Sequence, residues 1–226
     1  MNKLGKAFRY YRSYGFRDFM AESIKRSALL LRPPRRLLYC VDLTQMGSEN
    51  TGAGVCVQAY EYKDLITEAL REELLENGTV YNKKIGHPGI LWDFLDRFFG
   101  KGATFWVARK DGVLMGYLWT VRCRQEASFY MVPLFPQDAL ILAAEVFPPH
   151  RNRGVNRAML LQVLRSLKQQ DVRRVYVDAV MSNVATIRSL AKTPFRRAGV
   201  VRLRKRPKRY VVEWDKSFFD GNQRLC

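Results

Sequence analysis

The chain has 226 residues, 47% of them hydrophobic and 27% charged, with 39 Lys and Arg against 21 Asp and Glu for a formal net charge of +18. That length and apolar content suit one globular, enzyme-sized unit with appendages. Cys40, Cys56, Cys123 and Cys226 are scattered without C-x-x-C or Cys/His spacing, and no apolar run reaches the roughly 18 residues that a bilayer crossing needs. A metal site, a disulfide framework, a membrane span and a signal peptide are therefore not expected, and the chain reads as cytoplasmic.

The positive charge is local. Residues 1–36 carry ten Lys and Arg against Asp18 and Glu22, and residues 188–209 carry ten with no acid, so these two segments hold the whole excess. The first reads as a helical arm, interrupted at Gly15 and ended by Pro33-Pro34. In it Leu4, Ala7, Phe8 and Tyr11 recur at helical spacing beside Lys3, Lys6, Arg9 and Arg12. A basic amphipathic helix with aromatics suits the surface of an anionic membrane, and docking on its own domain or on a second copy in a homodimer is the alternative. The division expected is an arm over 1–36 and a folded domain over 37–226.

Along that domain, β-rich patterns fall at 37–43, 104–109, 113–122, 140–147, 175–180, 200–203 and 210–214, and helical patterns at 62–76, 89–99, 155–169 and 184–197. Lys110-Asp111-Gly112 marks a hairpin turn, and 44–54, rich in Gly, Ser, Thr and Asn, marks a loop. The order is that of an α+β fold with a mostly antiparallel sheet of six to seven strands and flanking helices. The basic run Arg202, Arg204, Lys205, Arg206, Lys208 and Arg209 lies between the last two strands. It suits phosphate groups on a nucleotide, a lipid or a coenzyme, and lacks the interleaved aromatics of a nucleic-acid module.

The densest information lies between Ala143 and Leu164. A strand-like run there meets Pro148-Pro149-His150-Arg151-Asn152-Arg153-Gly154-Val155-Asn156-Arg157 and then an unbroken amphipathic helical pattern. The opening of a helix offers unpaired N–H groups and the positive end of the macrodipole, Gly154 admits a close ligand, and Arg151, Arg153 and Arg157 add charged donors. The chemistry that suits such a turn is the binding of an anion such as a diphosphate. An ordinary strand-to-helix turn with solvated arginines is the bland alternative.

Arg151-x-x-Gly154-x-Asn156 resembles the acyl-CoA signature of the GNAT superfamily of N-acyltransferases, (Gln/Arg)-x-x-Gly-x-(Gly/Ala), with Asn156 in place of the usual small residue. Downstream, Asn183, Thr186-Ile187 and Lys192-x-x-Phe195 are similar to the superfamily's N-x-x-A-I-x-x-Y-x-K-x-G-F, with Leu190 at the tyrosine position and Pro194 at a glycine. The resemblance implies two splayed central strands and an acyl-CoA, acetyl-CoA above all, as co-substrate. It implies a cofactor site built from Val146, Phe147, Arg151, Asn152, Arg153, Gly154, Val155, Asn156, Arg157 and Asn183, in which the backbone N–H groups of Val146 and Phe147 receive the acyl carbonyl. Asn183 fits a helix N-cap equally well.

The reaction implied is direct attack of a primary amine on the thioester. Glu145 and Asp178 are the acids on the two facing strands and the candidates for general base; a structural ion pair is the other reading of each. Tyr210 or Tyr176 would protonate the leaving thiolate in place of the missing family tyrosine. A basic arm before such a domain resembles members of the superfamily associated with surface-polysaccharide assembly, which points to an amino sugar as acceptor. Acetylation of protein or peptide amines is a second reading, and an inert CoA-fold module that binds membrane or nucleic acid is a third. Removing residues 1–36 is expected to abolish pelleting with anionic liposomes while leaving the affinity for acetyl-CoA, measured by calorimetry, nearly intact.

Overall fold

The computed structural model describes residues 35–47, 54–85, 98–100, 102–122, 134–205 and 210–214. Residues 1–34 of the arm, most of the helix expected over 89–99 and the basic run over 206–209 lie outside the described residues. In chain order the elements are β1 (Arg35–Asp42), β2 (Cys56–Tyr60), α1 (Glu68–Ile85), β3 (Ala103–Lys110), β4 (Val113–Arg122), β5 (Asp138–Val146), α2 (Val155–Gln169), β6 (Arg174–Val180), α3 (Val184–Leu190), β7 (Arg196–Lys205) and β8 (Tyr210–Trp214).

One eight-stranded sheet runs in the order β2-β3-β4-β5-β6-β1-β7-β8. Every neighbouring pair is antiparallel except β5 and β6. The expected α+β fold with a mostly antiparallel sheet is what forms, and β2 is the strand added to the six to seven expected. That strand is short and partly exposed, with no buried alternation to betray it, and it forms by pairing along β3 from Cys56↔Arg109 to Tyr60↔Phe105. The first strand also takes an unforeseen place. It is wedged between β6 and β7, pairing Arg36 with Val180 on one side and Arg35 with Arg202 on the other. The sheet thus begins at Arg35, before the expected boundary at 37, and a cut that spares it falls before that residue.

Each face of the sheet carries its own core. On one side α2 lays down Ala158, Met159, Val163, Leu164 and Leu167, and Leu190 of α3 joins them over Leu118, Ile141, Val175 and Val177. On the other, Leu70 and Leu74 of α1, one helical turn apart, cover Phe105, Trp119, Leu140 and Tyr176. The helix expected over 62–76 starts later, after a single 3-10 turn at Lys63–Leu65 and with Thr67 Oγ1 accepting the Leu70 N–H at 3.3 Å. The helix expected over 184–197 stops at Leu190. Pro194 has no N–H for the Leu190 carbonyl, which instead receives the Thr193 N–H at 3.0 Å and the Thr193 hydroxyl at 2.6 Å.

Cys40, fully buried in β1, is disulfide-bonded, which the scattered cysteines gave no reason to expect, while Cys56 is free and exposed. Among the described residues no helix is long and apolar enough to cross a membrane. Gly116 lets β4 approach β5 closely, since a Cβ there would run into the Glu145 carbonyl oxygen and come within 3.0 Å of Val146 Cα. Gly116→Ala is expected to lower stability by roughly 1–3 kcal/mol, read from chemical denaturation.

Candidate active site

Among the described residues the sheet has one parallel pair, and it opens where that pair comes apart. β5 and β6 are in register from Asp138↔Arg174 to Ile141↔Val177 and no further, although β5 continues to Val146 and β6 to Val180. The closed end of this fork is clamped. Arg174 donates to both oxygens of Asp138, at 2.8 and 3.0 Å, the Phe135 N–H donates to the same carboxylate at 2.9 Å, and Asp138 is 1% exposed. The open end is the splay that the resemblance implied.

A bulge aims the side chains of the β5 arm of the fork. Thr120 faces Ile141, but Trp119 faces Ala143, so Leu142 is an extra residue in β5. Plain alternation from Ile141 would put Glu145 on the α2 face. The bulge moves it to the α1 face, where its Oε2 accepts a hydrogen bond from the Tyr117 hydroxyl at 2.9 Å. Burial raises the Glu145 carboxyl above the ordinary carboxylate range; the Tyr117 hydrogen bond and the Arg151 guanidinium, 3.9 Å from Oε1, pull the other way without cancelling it. Oε1 is itself buried and without a hydrogen-bond partner.

The same pairing fixes which N–H groups face the fork. Phe147 donates its N–H to the Met115 carbonyl at 2.9 Å, and in an antiparallel ladder every second residue points the opposite way. The N–H of Val146 therefore points away from β4, toward the side that β6 has left. The expectation that both Val146 and Phe147 receive an acyl carbonyl is corrected for Phe147, whose donor is consumed by the sheet.

Above the fork stands the opening of α2. Gly154 caps it with φ 77°, and Asn152 is also left-handed at φ 62°. The first helical bond runs from the Ala158 N–H to the Gly154 carbonyl at 3.0 Å, so the N–H groups of Val155 and Asn156 open the helix with no helical acceptor. A cavity of about 340 Å³ adjoins this opening, between Lys110, Asp111 and Val113 of the β3–β4 turn and His150, Arg153 and Val155. His150 Nδ1 is buried there without a partner, and the space over Gly154 is open. The helix-opening amides of Val155 and Asn156, an orphaned ring nitrogen and two flanking cations are groups that a diphosphate would satisfy, so the residues present fit that group.

The other arginines of the signature are drawn into the protein. Arg151 donates from Nε to the Val146 carbonyl at 2.9 Å, and Arg157 donates from Nε to the Lys192 carbonyl at 2.8 Å. Asn156, bulkier than the family's usual residue, is helical and donates from Nδ2 to Ser189 Oγ at 2.7 Å, tying α2 to α3. Asn183 behaves as an N-cap, its Oδ1 accepting the Thr186 N–H at 3.2 Å.

Of the candidate acids and bases, Glu145 and Asp178 both lie beyond the last β5–β6 pair, one on each prong of the fork, and the two tyrosines do not. Asp178 stands on the opposite prong, in an ion pair with Arg36 of β1. Tyr176 lies in the paired, closed part of the fork, opposite Leu140, 1% exposed, and burial pushes its hydroxyl up. Tyr210, the other candidate for protonating the thiolate, lies far from the β5 prong. It belongs to β8, four strands from β5, about 19 Å away at the usual spacing. The residues that sequence reasoning missed are Tyr117, Gly116 and Arg36. Only the register of the strands brings them to this place.

The chain belongs to the acetyltransferase (GNAT) family, whose sequence model matches residues 66–193. Among solved structures it is similar to a GNAT-family acetyltransferase from Colwellia psychrerythraea, at 13% identity and a TM-score of 0.52, over 84% of this chain and 60% of that one. It is equally similar in TM-score, 0.52, to a conserved protein of unknown function from Staphylococcus epidermidis, at 11% identity, over 74% of this chain and 59% of the other. The chain thus spans about 60% of the length of these structures, and the likeness is one of fold. No curated protein matches it.

The cap assignment is testable. Asn183→Ala is expected to cost about 1 kcal/mol of stability, by denaturant titration, as the loss of a helix cap does.

Proposed function

We propose that the protein transfers an acetyl group from acetyl-CoA to a primary amine, with Glu145 as the general base. The observation that carries this reading is the open fork itself. It sets a half-buried carboxylate of raised pKa one residue from an N–H that faces the gap, beneath a helix opening whose donors suit a diphosphate. Family membership supports the reaction class, and the coenzyme, when bound, supplies the activated acyl group as a thioester.

The residues divide the work. Arg153, His150 and the first amides of α2 hold the diphosphate, and Gly154 keeps their approach open. The N–H of Val146 donates to the acyl oxygen as negative charge gathers on it. Glu145 takes the proton that the amine loses on becoming acylated, and its pKa, lifted by burial, brings it nearer to working pH than an exposed carboxylate stands. The Tyr117 hydroxyl is engaged with Glu145 and Tyr176 is shut in the closed part of the fork, so the proton for the leaving thiolate is assigned to Glu145 after it has been taken up, or to water. The acceptor we propose is an amino sugar, on the resemblance of a basic arm joined to this domain.

A panel of amines, amino sugars first, assayed by thiol release from acetyl-CoA, tests the reading. Turnover is expected to rise with pH through an acid limb set above the ordinary carboxylate range, because the base must be ionised to act. Glu145→Gln should remove that limb and lower turnover by roughly 100- to 10,000-fold, with acetyl-CoA affinity in calorimetry kept. Gly154→Glu should abolish that affinity. Full activity of Glu145→Gln across the pH range, or unchanged acetyl-CoA binding by Gly154→Glu, would overturn the assignment concerned.

A further inference from the structure

The two oxygens of Glu145 have different surroundings, and the difference comes from β4. Oε2 is held by the Tyr117 hydroxyl at 2.9 Å. Oε1 is buried and has no hydrogen-bond partner, with the nearest Arg151 nitrogen at 3.9 Å, beyond hydrogen-bonding reach. Tyr117 and Glu145 sit directly opposite each other in the β4–β5 register, and the Leu142 bulge turns Glu145 to the face that Tyr117 occupies. The tyrosine ring is clamped in turn, its centroid 5.5 Å from that of Phe105 and 6.1 Å from that of Phe147. An aromatic ring fixed on both sides places its hydroxyl in space with little freedom, as a preorganised site requires. Among the described residues, Tyr117 on β4 and Arg151 in the turn are the titratable or charged groups that reach Glu145; Arg36 and Asp178 stand paired across the fork on β1 and β6.

We propose that Tyr117 is the positioning residue of the reaction, holding Oε2 of Glu145 by a hydrogen bond so that the bare Oε1 is the oxygen that takes the proton from the amine. In that step the amine N–H bond breaks and an Oε1–H bond forms. Tyr117 keeps its own proton throughout and remains the donor to Oε2. The inference rests on Glu145 being the base.

A hydrogen bond to the ionised carboxylate favours that form, so its removal must raise the pKa of Glu145 further. Tyr117→Phe removes one oxygen and keeps the ring packing. In protein labelled with ¹³C-glutamate, the Glu145 carboxyl signal is identified by its loss in Glu145→Gln, and its titration midpoint should move upward by about one pH unit in Tyr117→Phe. With the fastest amine of the panel, kcat should fall roughly tenfold or more at a pH where the wild-type carboxylate is ionised. The acid limb should follow the midpoint, and acetyl-CoA affinity should stay unchanged. In the Glu145→Gln background the same change should have a much smaller effect on kcat, since the action proposed for the hydroxyl runs through the carboxylate.

A midpoint that does not move overturns the inference. So does a fall in kcat of equal size in both backgrounds, which is what a merely structural tyrosine gives. If Glu145→Gln itself retains full turnover, the reading of Glu145 as base fails instead, and the two failures are told apart by that single variant.

Discussion

The buried ion pair between Asp138 and Arg174 decides where the sheet closes and therefore where it opens. It joins the first residues of β5 and β6 and is reinforced by the Phe135 N–H and by the rings of Phe135 and Tyr176, whose centroids lie 5.2 and 5.9 Å from the guanidinium. Parallel strands pair less firmly per residue than antiparallel ones, and this pair holds for four residues only. Without a fastening at one end the two strands would have no fixed angle between them. With it, the gap at the other end has a defined apex, and everything that lines the gap is measured from that point. Removal of one partner would strand a buried charge, a change that costs about 3–5 kcal/mol in other proteins.

Two strands and a turn share the task of shaping the β5 prong. Gly116 brings β4 close, the Leu142 bulge reverses the facing of the residues after it, and Arg151 ties the signature turn back to the Val146 carbonyl while standing near the Glu145 carboxylate. The turn that suits the diphosphate and the strand that carries the carboxylate are thus one mechanical piece. A displacement of Arg151 toward an incoming anion would loosen its hold on the strand and weaken its pull on the carboxylate at once, so the two halves of the site answer to each other.

The signature turn, the helix after it and the acid at the end of the preceding strand were legible in the sequence, because each is a local pattern of spacing and residue type. Features that depend on pairing between distant segments were not. The facing of Glu145 comes from a bulge that alternation cannot reveal. The donor of Phe147 is spent on Met115, which only the register shows. Tyr210 groups with the site in sequence because it opens a strand late in the chain, and the insertion of β1 carries that strand to the far edge. Asn156 looks in sequence like an obstacle beside a phosphate, and its bond to Ser189, 33 residues away, turns it into a brace between two helices. Leu190, at the position of the family tyrosine, is 1% exposed and belongs to the core, so the loss of that hydroxyl is a gain in packing.

The place of β1 bears on how the molecule comes into being. Its partners, β6 and β7, are made more than 130 residues later, so during synthesis the first strand must wait for most of the polypeptide to leave the ribosome. Until it arrives, the sheet exists as two halves with raw edges facing one another, the state in which strands are most open to pairing with the wrong neighbour. Closure between segments so far apart in the chain is slow. The insertion of β1 between β6 and β7 joins the half of the sheet that holds the fork to the half that ends at β8, so that joining must await both of its later-made neighbours.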